Sequence, residues 1–146
     1  DGDRFYQNAA GATIIGGLSS GSIPANGNTT TFTAKGTSFE NNNGFNNFDF
    51  GGLLIVGGEN AAFENGTSDN TVNVSLSACL MRNNQLPGDL VAYGARSNPE
   101  SIGEPGTNNQ VTVKKANFGT HRMRQVFTNS IPNLPGLMNT VTVIDE

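Results

Sequence analysis

Four copies of one short motif recur along the chain, and they constrain its fold more than any other feature. Each copy is an Asn followed by a strand-forming stretch with branched residues at alternate positions; the four are Asn28, Asn70, Asn109 and Asn139. Successive Asn residues are 42, 39 and 30 positions apart. A unit that recurs at this scale is typical of repeat proteins, in which equivalent segments stack on one another.

Composition indicates strands and turns rather than helices. The 146 residues include 21 Asn, 19 Gly and 14 Thr; Asn and Gly favour turns, and Thr favours strands. Only 14% of residues are charged and the net charge is −4, which argues against a nucleic-acid partner. No apolar run approaches the roughly 20 residues of a membrane span, so no membrane insertion is expected. The length suits a single domain, residues 1–146.

A second series of apolar segments recurs in phase with the motif. Leu53–Val56 and Leu90–Tyr93 are clear copies, Gln125–Phe127 is a weaker one, and Ala12–Gly17 looks like an earlier one. Two series that run in phase strengthen the prediction of a repeat. Their spacing aligns Ile14, Leu54, Val91 and Val126.

Stacking of like residues on like predicts three inward-facing columns. The predicted columns are Thr31, Val72, Val111 and Val141; Thr33, Val74, Val113 and Val143; and Phe39, Leu80 and Phe118. The register of the first copy is open, because Phe32 competes with Thr31 and Thr33 for the inward face. The four motif Asn residues are predicted to form a ladder at a turn, each side-chain amide bonding its neighbour.

These patterns predict an all-β fold, a short right-handed parallel β-helix (solenoid) of about four coils. The alternative is a β-sandwich, in which strands adjacent in sequence pair antiparallel. Three features recur: branched residues at alternate positions, a large apolar residue (Phe39 or Leu80) shortly before an Asn-Asn pair, and a second strand bounded by Gly. Together they resemble the repeats of pectin-lyase-like β-helix proteins, over residues 12–144. The resemblance implies a polysaccharide lyase, a glycoside hydrolase or an adhesin.

The two ends of the chain carry a further expectation. The sequence starts inside one predicted coil and finishes on the strand Val141–Ile144, and an end coil exposes open strand edges. We therefore expect either a piece of a longer protein or ends that are covered by the termini or by self-association. The composition and the start at Asp1 suggest a secreted or cell-surface location.

Few side chains point to a chemistry. The candidate ligand-binding residues are Phe45, Phe48, Tyr93, His121, Arg122 and Arg124. The aromatic rings could stack on sugars, and the basic cluster could clamp a carboxylate or sulfate. No catalytic residue, metal ligand or cofactor is assigned. Cys79 lies in an apolar run, so a buried, inert thiol is expected.

The leading functional hypothesis is a non-catalytic module, structural or carbohydrate-binding, with a polysaccharide as its partner. The alternative is a polysaccharide lyase or glycoside hydrolase that acts on an acidic polysaccharide, with a site drawn from Lys35, Lys115, Arg82 or Arg124. Lys35 and Lys115 are expected to share one face of a stacked helix. β-Elimination needs a base and a cation that stabilises the enolate, and a hydrolase needs two paired carboxylates. Neither set is visible, which favours a protein without catalytic activity.

Overall fold

The structure, a computed structural model, describes residues 1–8, 11–19, 23–42, 52–60, 66–84, 89–97, 106–116, 124–129 and 138–146, with backbone only for 97 and 124–129. Within these ranges the protein is all-β and contains no helix. The strands are β1 (Arg4–Tyr6), β2 (Ala12–Ser19), β3 (Thr29–Lys35), β4 (Ser38–Glu40), β5 (Leu53–Asn60), β6 (Thr71–Ser77), β7 (Leu80–Arg82), β8 (Leu90–Ser97), β9 (Gln110–Ala116), β10 (Arg124–Asn129) and β11 (Thr140–Asp145).

Strands that are far apart in sequence pair to form three sheets. The first sheet has the order β1-β4-β7, the second β2-β5-β8-β10 and the third β3-β6-β9-β11. Every described pairing is parallel, so the predicted parallel stacking of equivalent strands is confirmed. No described strand pairs with the strand next to it in sequence.

The chain passes through the sheets in a fixed order. It runs from the second sheet to the third and then the first through β2, β3 and β4, repeats this through β5, β6 and β7, and begins again with β8 and β9. Residues 117–123, between β9 and β10, lie outside the described ranges. Each passage, which we call a circuit, lays a strand beside its counterpart from the circuit before.

The predicted ladder of the four motif Asn residues is confirmed. Asn28 Nδ2 donates to Asn70 Oδ1, Asn70 Nδ2 to Asn109 Oδ1, and Asn109 Nδ2 to Asn139 Oδ1, each at 3.0 Å. Each acceptor oxygen also receives the backbone N–H of the same donor residue. Asn70 and Asn109 are fully buried. Because buried amides are costly unless they are hydrogen-bonded, this ladder fixes one circuit on the next.

The residue before each ladder Asn adopts a left-handed backbone conformation. The φ angles are 68° at Gly27, 59° at Asp69, 54° at Asn108 and 47° at Met138. This conformation is unfavourable for residues other than Gly and is best tolerated by Asn and Asp. The same bend therefore recurs on four circuits, and each time it places an Asn directly before a third-sheet strand.

A second Asn ladder, absent from the sequence predictions, stacks where the strands of the first sheet end. Asn8 N–H donates to Asn42 Oδ1 at 3.1 Å, Asn42 Nδ2 to Asn84 Oδ1 at 2.9 Å, and Asn84 Nδ2 to Asp89 Oδ1 at 2.7 Å. Each Asn again follows a positive-φ residue. In the two circuits where both bends are described, β2–β4 and β5–β7, they are therefore built in the same way.

The third sheet corrects the predicted register of the first motif copy by one residue. Val72 pairs with Thr30 rather than Thr31, and Val74 pairs with Phe32 rather than Thr33. The predicted stacking of the later copies is confirmed, because Val72 pairs with Val111 and Val111 pairs with Val141. Phe32 gains by facing the core, whereas a Thr there would bury a hydroxyl group.

The other two sheets also differ by one residue from the prediction. In the second sheet Ile14 pairs with Ile55 rather than Leu54, while the predicted pairing of Leu54 with Val91 is confirmed. Val126 pairs with Ala92 rather than Val91.

In the first sheet the predicted column of Phe39 and Leu80 is wrong. Phe39 pairs with Met81 and stacks on Phe5, with ring centroids 4.9 Å apart. Leu80 is half-buried and pairs with Ser38. Phe118 lies outside the described residues.

The core lies where the inward faces of the three sheets meet. One buried cluster joins Phe39 and Met81 from the first sheet, Leu53, Ile55, Leu90 and Ala92 from the second, and Val72, Val74, Leu76, Val111 and Val113 from the third. Cys79 is buried in the same cluster, as predicted. A smaller cluster of Leu54, Val56 and Val91 occupies the other face of the second sheet. Burial on both faces explains the continuous apolar run at the start of β5, Leu53 to Val56.

Candidate functional site

The outward face of the third sheet is largely polar. Alternate residues of its strands point away from the core, and the pairing aligns them in rows that cross the strands. One row is Thr31, Asn73, Thr112 and Thr142. The next row is Thr33, Ser75, Lys114 and Ile144. Hydroxyl and amide groups from different circuits are thus brought side by side.

A groove of about 330 Å³ runs across these rows. Its walls are formed by Thr31, Asn73, Val74, Ser75, Thr112 and Lys114. Four of the six side chains are uncharged and carry hydroxyl or amide groups, which can both donate and accept hydrogen bonds. Such a lining suits a ligand with many hydroxyl groups of its own.

Among the described residues that line the groove, Lys114 carries the only charge. Its Nζ lies 4.0 Å from Oε1 of Glu146, and both side chains are 53% exposed. An ion pair of this length between exposed groups contributes little to stability. Lys114 can therefore reorient towards a ligand at little cost.

A second polar cluster lies on the first sheet around a buried carboxylate. Glu40 is only 5% exposed, and its Oε2 accepts a bond of 2.7 Å from Arg82 Nε and lies 2.6 Å from Arg82 Nη2. Arg4 Nε lies 3.6 Å from Glu40 Oε1, and its guanidinium covers the Tyr6 ring at 4.0 Å. The hydrogen bond from Arg82 lowers the pKa of Glu40; burial opposes it, while Ser38 and the charges of both arginines reinforce it. The cluster joins three strands of the sheet.

The lysines of the lyase alternative do not share a face. Lys115 is 6% exposed on the inward side of β9, where it forms an ion pair with Asp145. Lys35 is exposed on the outward side of β3 and is aligned with Ser77 and Ala116. The prediction that Lys35 and Lys115 lie on one face is therefore wrong. The reason is again the one-residue shift in the register of β3, which aligns Ala34 rather than Lys35 with Lys115. Arg82 is engaged by Glu40.

Most of the predicted ligand-binding residues lie outside the described part of the structure. These are Phe45, Phe48, His121 and Arg122. Arg124 begins β10 opposite Leu90, and its side chain is also outside the described part. Tyr93 is half-buried and packs against the small apolar cluster on the second sheet.

The groove residues were missed because each is an ordinary strand residue when it is considered alone. The signal was present in the outward phase of the motif, where Thr31, Asn73, Thr112 and Thr142 occupy equivalent positions. It became readable only after the register of the first strand was known.

The described residues contain no group of three or more His, Cys, Asp or Glu side chains placed to hold a metal ion. They likewise include no helix with the length and apolarity needed to cross a membrane.

Comparison with known proteins gives no match: no protein-family model fits the chain, and no curated protein or solved structure matches it significantly.

Proposed function

We propose that the chain is a non-catalytic module, secreted or at the cell surface, that binds a polysaccharide along the outward face of its third sheet. In this proposal the fold is a right-handed parallel β-helix. The fixed order of the sheets and the wholly parallel pairing of the described strands support it. The handedness rests on the strong preference of parallel crossover connections for a right-handed path.

The groove on the third sheet is the observation that carries the binding proposal. Its hydroxyl and amide groups repeat at about 4.8 Å across the strands and about 6.7 Å along them, as parallel sheets require. A regularly spaced array of groups that both donate and accept suits an extended polymer of hydroxylated units.

The alternative enzymatic function lacks a comparable observation. A lyase or hydrolase needs convergent acid and base groups, and the described residues around the groove offer Lys114 with Glu146 at its edge. Two of the four cations considered for such a site are held elsewhere, Lys115 by Asp145 and Arg82 by Glu40.

The proposal is tested by affinity electrophoresis of the protein through gels that contain neutral or acidic polysaccharides. For a polysaccharide that retards the protein, we expect Thr112→Val to weaken binding about five-fold, since one hydrogen bond contributes about 1 kcal/mol. The matched control is Thr13→Val, because Thr13 is an exposed strand residue of the second sheet. Retardation by no polysaccharide, or equal loss in both variants, contradicts the proposal.

Incubation with acidic polysaccharides, followed by ultraviolet absorbance, tests the lyase form of the enzymatic alternative, because β-elimination leaves an unsaturated sugar end and hydrolysis does not. Unsaturated sugar ends absorb, so a steady rise in absorbance that Lys114→Ala abolishes refutes the non-catalytic assignment. We expect no rise.

A further inference from the structure

The third sheet ends in two edge strands with complementary bonding groups. β3 lies at one edge and β11 at the other, and each pairs on one side only within the described residues. Unpaired strand edges offer backbone donors and acceptors to any strand that can align with them. The groups that these two edges present differ, because the hydrogen bonds between circuits have a direction.

The Asn ladder shows this direction. Each ladder Asn donates to the Asn of the following circuit, so Asn28 Oδ1 at the β3 edge accepts no bond from a described residue. At the β11 edge, Asn139 receives bonds from Asn109, and its own backbone N–H has no described acceptor. The backbone runs in the opposite sense: Thr140 N donates to the carbonyl of Asn109, which leaves the Asn139 carbonyl facing outwards. The β11 edge therefore offers the N–H and the carbonyl of Asn139. The β3 edge of a second copy offers the matching acceptor, Asn28 Oδ1, and the matching donor, the N–H of Thr29.

Continuing the ladder from Asn139 to Asn28 of a second copy fixes the register of the contact. By the alignment of the third sheet, this register sets Thr142 opposite Thr31 and Val143 opposite Phe32. Thr–Thr pairs and apolar pairs across strands are favourable.

The same register also sets opposite charges side by side. Lys35 is aligned with Ser77 and Ala116, and Glu146 follows the final paired residue of β11, with its N–H donating to the Lys115 carbonyl. Glu146 of one copy therefore meets Lys35 of the next. Glu146 is 53% exposed and only weakly paired with Lys114, so it can make this contact.

We propose that the protein associates head to tail, with the β11 edge of one copy paired in parallel with the β3 edge of a second copy. Each copy contributes a different surface to such a contact, so the association is open-ended and continues into a linear chain of molecules. The proposal does not depend on the ligand of the groove.

Sedimentation velocity over a range of protein concentrations tests the association. We expect the average mass to rise continuously with concentration, without a plateau at the dimer. Lys35→Glu places two acidic side chains at the contact, and Glu146→Lys places two basic ones. Each single variant should raise the dissociation constant about five-fold, with an unchanged far-ultraviolet circular dichroism spectrum.

Mixing the two single variants gives the sharpest result. In a contact between the two variants, residue 146 of one molecule meets residue 35 of the other. Either way round, one of these residues is Glu and the other is Lys. We expect an equimolar mixture, and also the double variant K35E/E146K, to recover the association of the unchanged protein. A protein that stays monomeric at all concentrations overturns the proposal. So does association that the single variants leave unaltered, or that mixing them does not restore.

Discussion

Replacing Asn109 by Ala is expected to destabilise the protein more than any other change of a single Asn side chain in the first ladder. Asn109 is fully buried and lies in the middle of the ladder. Its Oδ1 accepts from both the N–H and the Nδ2 of Asn70, at 3.1 and 3.0 Å. Its Nδ2 donates to Asn139 Oδ1 at 3.0 Å and to the Thr67 carbonyl at 2.9 Å.

The magnitude follows from these four side-chain hydrogen bonds. Each contributes about 1 kcal/mol net, and a buried group that loses its partner costs at least as much. The expected loss is therefore about 4 kcal/mol, against a total stability of about 5–15 kcal/mol for a protein of this kind. The variant is expected to fold, but with a much reduced margin.

Urea unfolding followed by circular dichroism measures this loss. With a slope of about 2 kcal/mol per molar urea, the midpoint should fall by about 2 M. Asn28→Ala is the first control: Asn28 is exposed at the end of the ladder and donates only to Asn70, so a loss of about 1 kcal/mol is expected. Asn73→Ala is the second, because Asn73 is exposed on the outward face of β6, and we expect a change below about 0.5 kcal/mol.

The order of the three variants is the critical result. If Asn109→Ala costs less than about 1 kcal/mol, or no more than Asn73→Ala, the ladder does not hold the circuits together. The energetic role assigned to its buried amides would then be wrong.

Two further predictions concern the first sheet and the close contact of two backbones. The Arg82 hydrogen bond lowers the pKa of Glu40 below its usual value. The contribution of this pair to stability is therefore complete above the usual pKa of a Glu and is lost as the pH falls through the lowered pKa. The difference in unfolding free energy between the unchanged protein and Glu40→Gln should therefore shrink below about pH 4.5; a constant difference from pH 7 to pH 3 contradicts the pairing. Gly57→Ala should cost about 3 kcal/mol or more, since a Cβ there would collide with the Gly94 carbonyl and approach Asn109 Cβ. Ala in place of Gly27, whose Cβ would meet no atom within 4 Å, should cost only about 1 kcal/mol, and equal thermal-unfolding losses for the two would refute the steric argument.

The sequence predicted the parallel stacking because the motif repeats its chemistry where the structure requires it. The Asn ladder and the column of Val72, Val111 and Val141 follow directly from equivalent positions. The first copy was placed one residue out of register, because a run of Thr from 29 to 31 conceals the alternation that Val residues show elsewhere.

Sites that depend on neighbouring circuits were harder to predict. The pair Asn42 and Asn84 was visible as part of Asn-rich turns, but its ladder required knowing that each follows a left-handed residue. The groove likewise combines residues from β3, β6 and β9, which come together only through exact alignment of three strands. Local patterns carry no information on that alignment when the polar residues are interchangeable.

The two Asn ladders also determine how such a chain can grow and diversify. Asn28 and Asn42 are 14 residues apart, and so are Asn70 and Asn84, whereas the intervals from Asn42 to Asn70 and from Asn84 to Asn109 are 28 and 25 residues. One arc of the circuit thus has a constant length while the other varies without disturbing the pairing. We therefore expect the variable arc to accept grafted peptides, and we expect a whole circuit to be open to duplication in the gene, because the new unit brings both of its own ladder amides. A protein built in this way can acquire a new binding specificity by exchanging an arc and a greater length by copying a circuit, and neither change requires a new core.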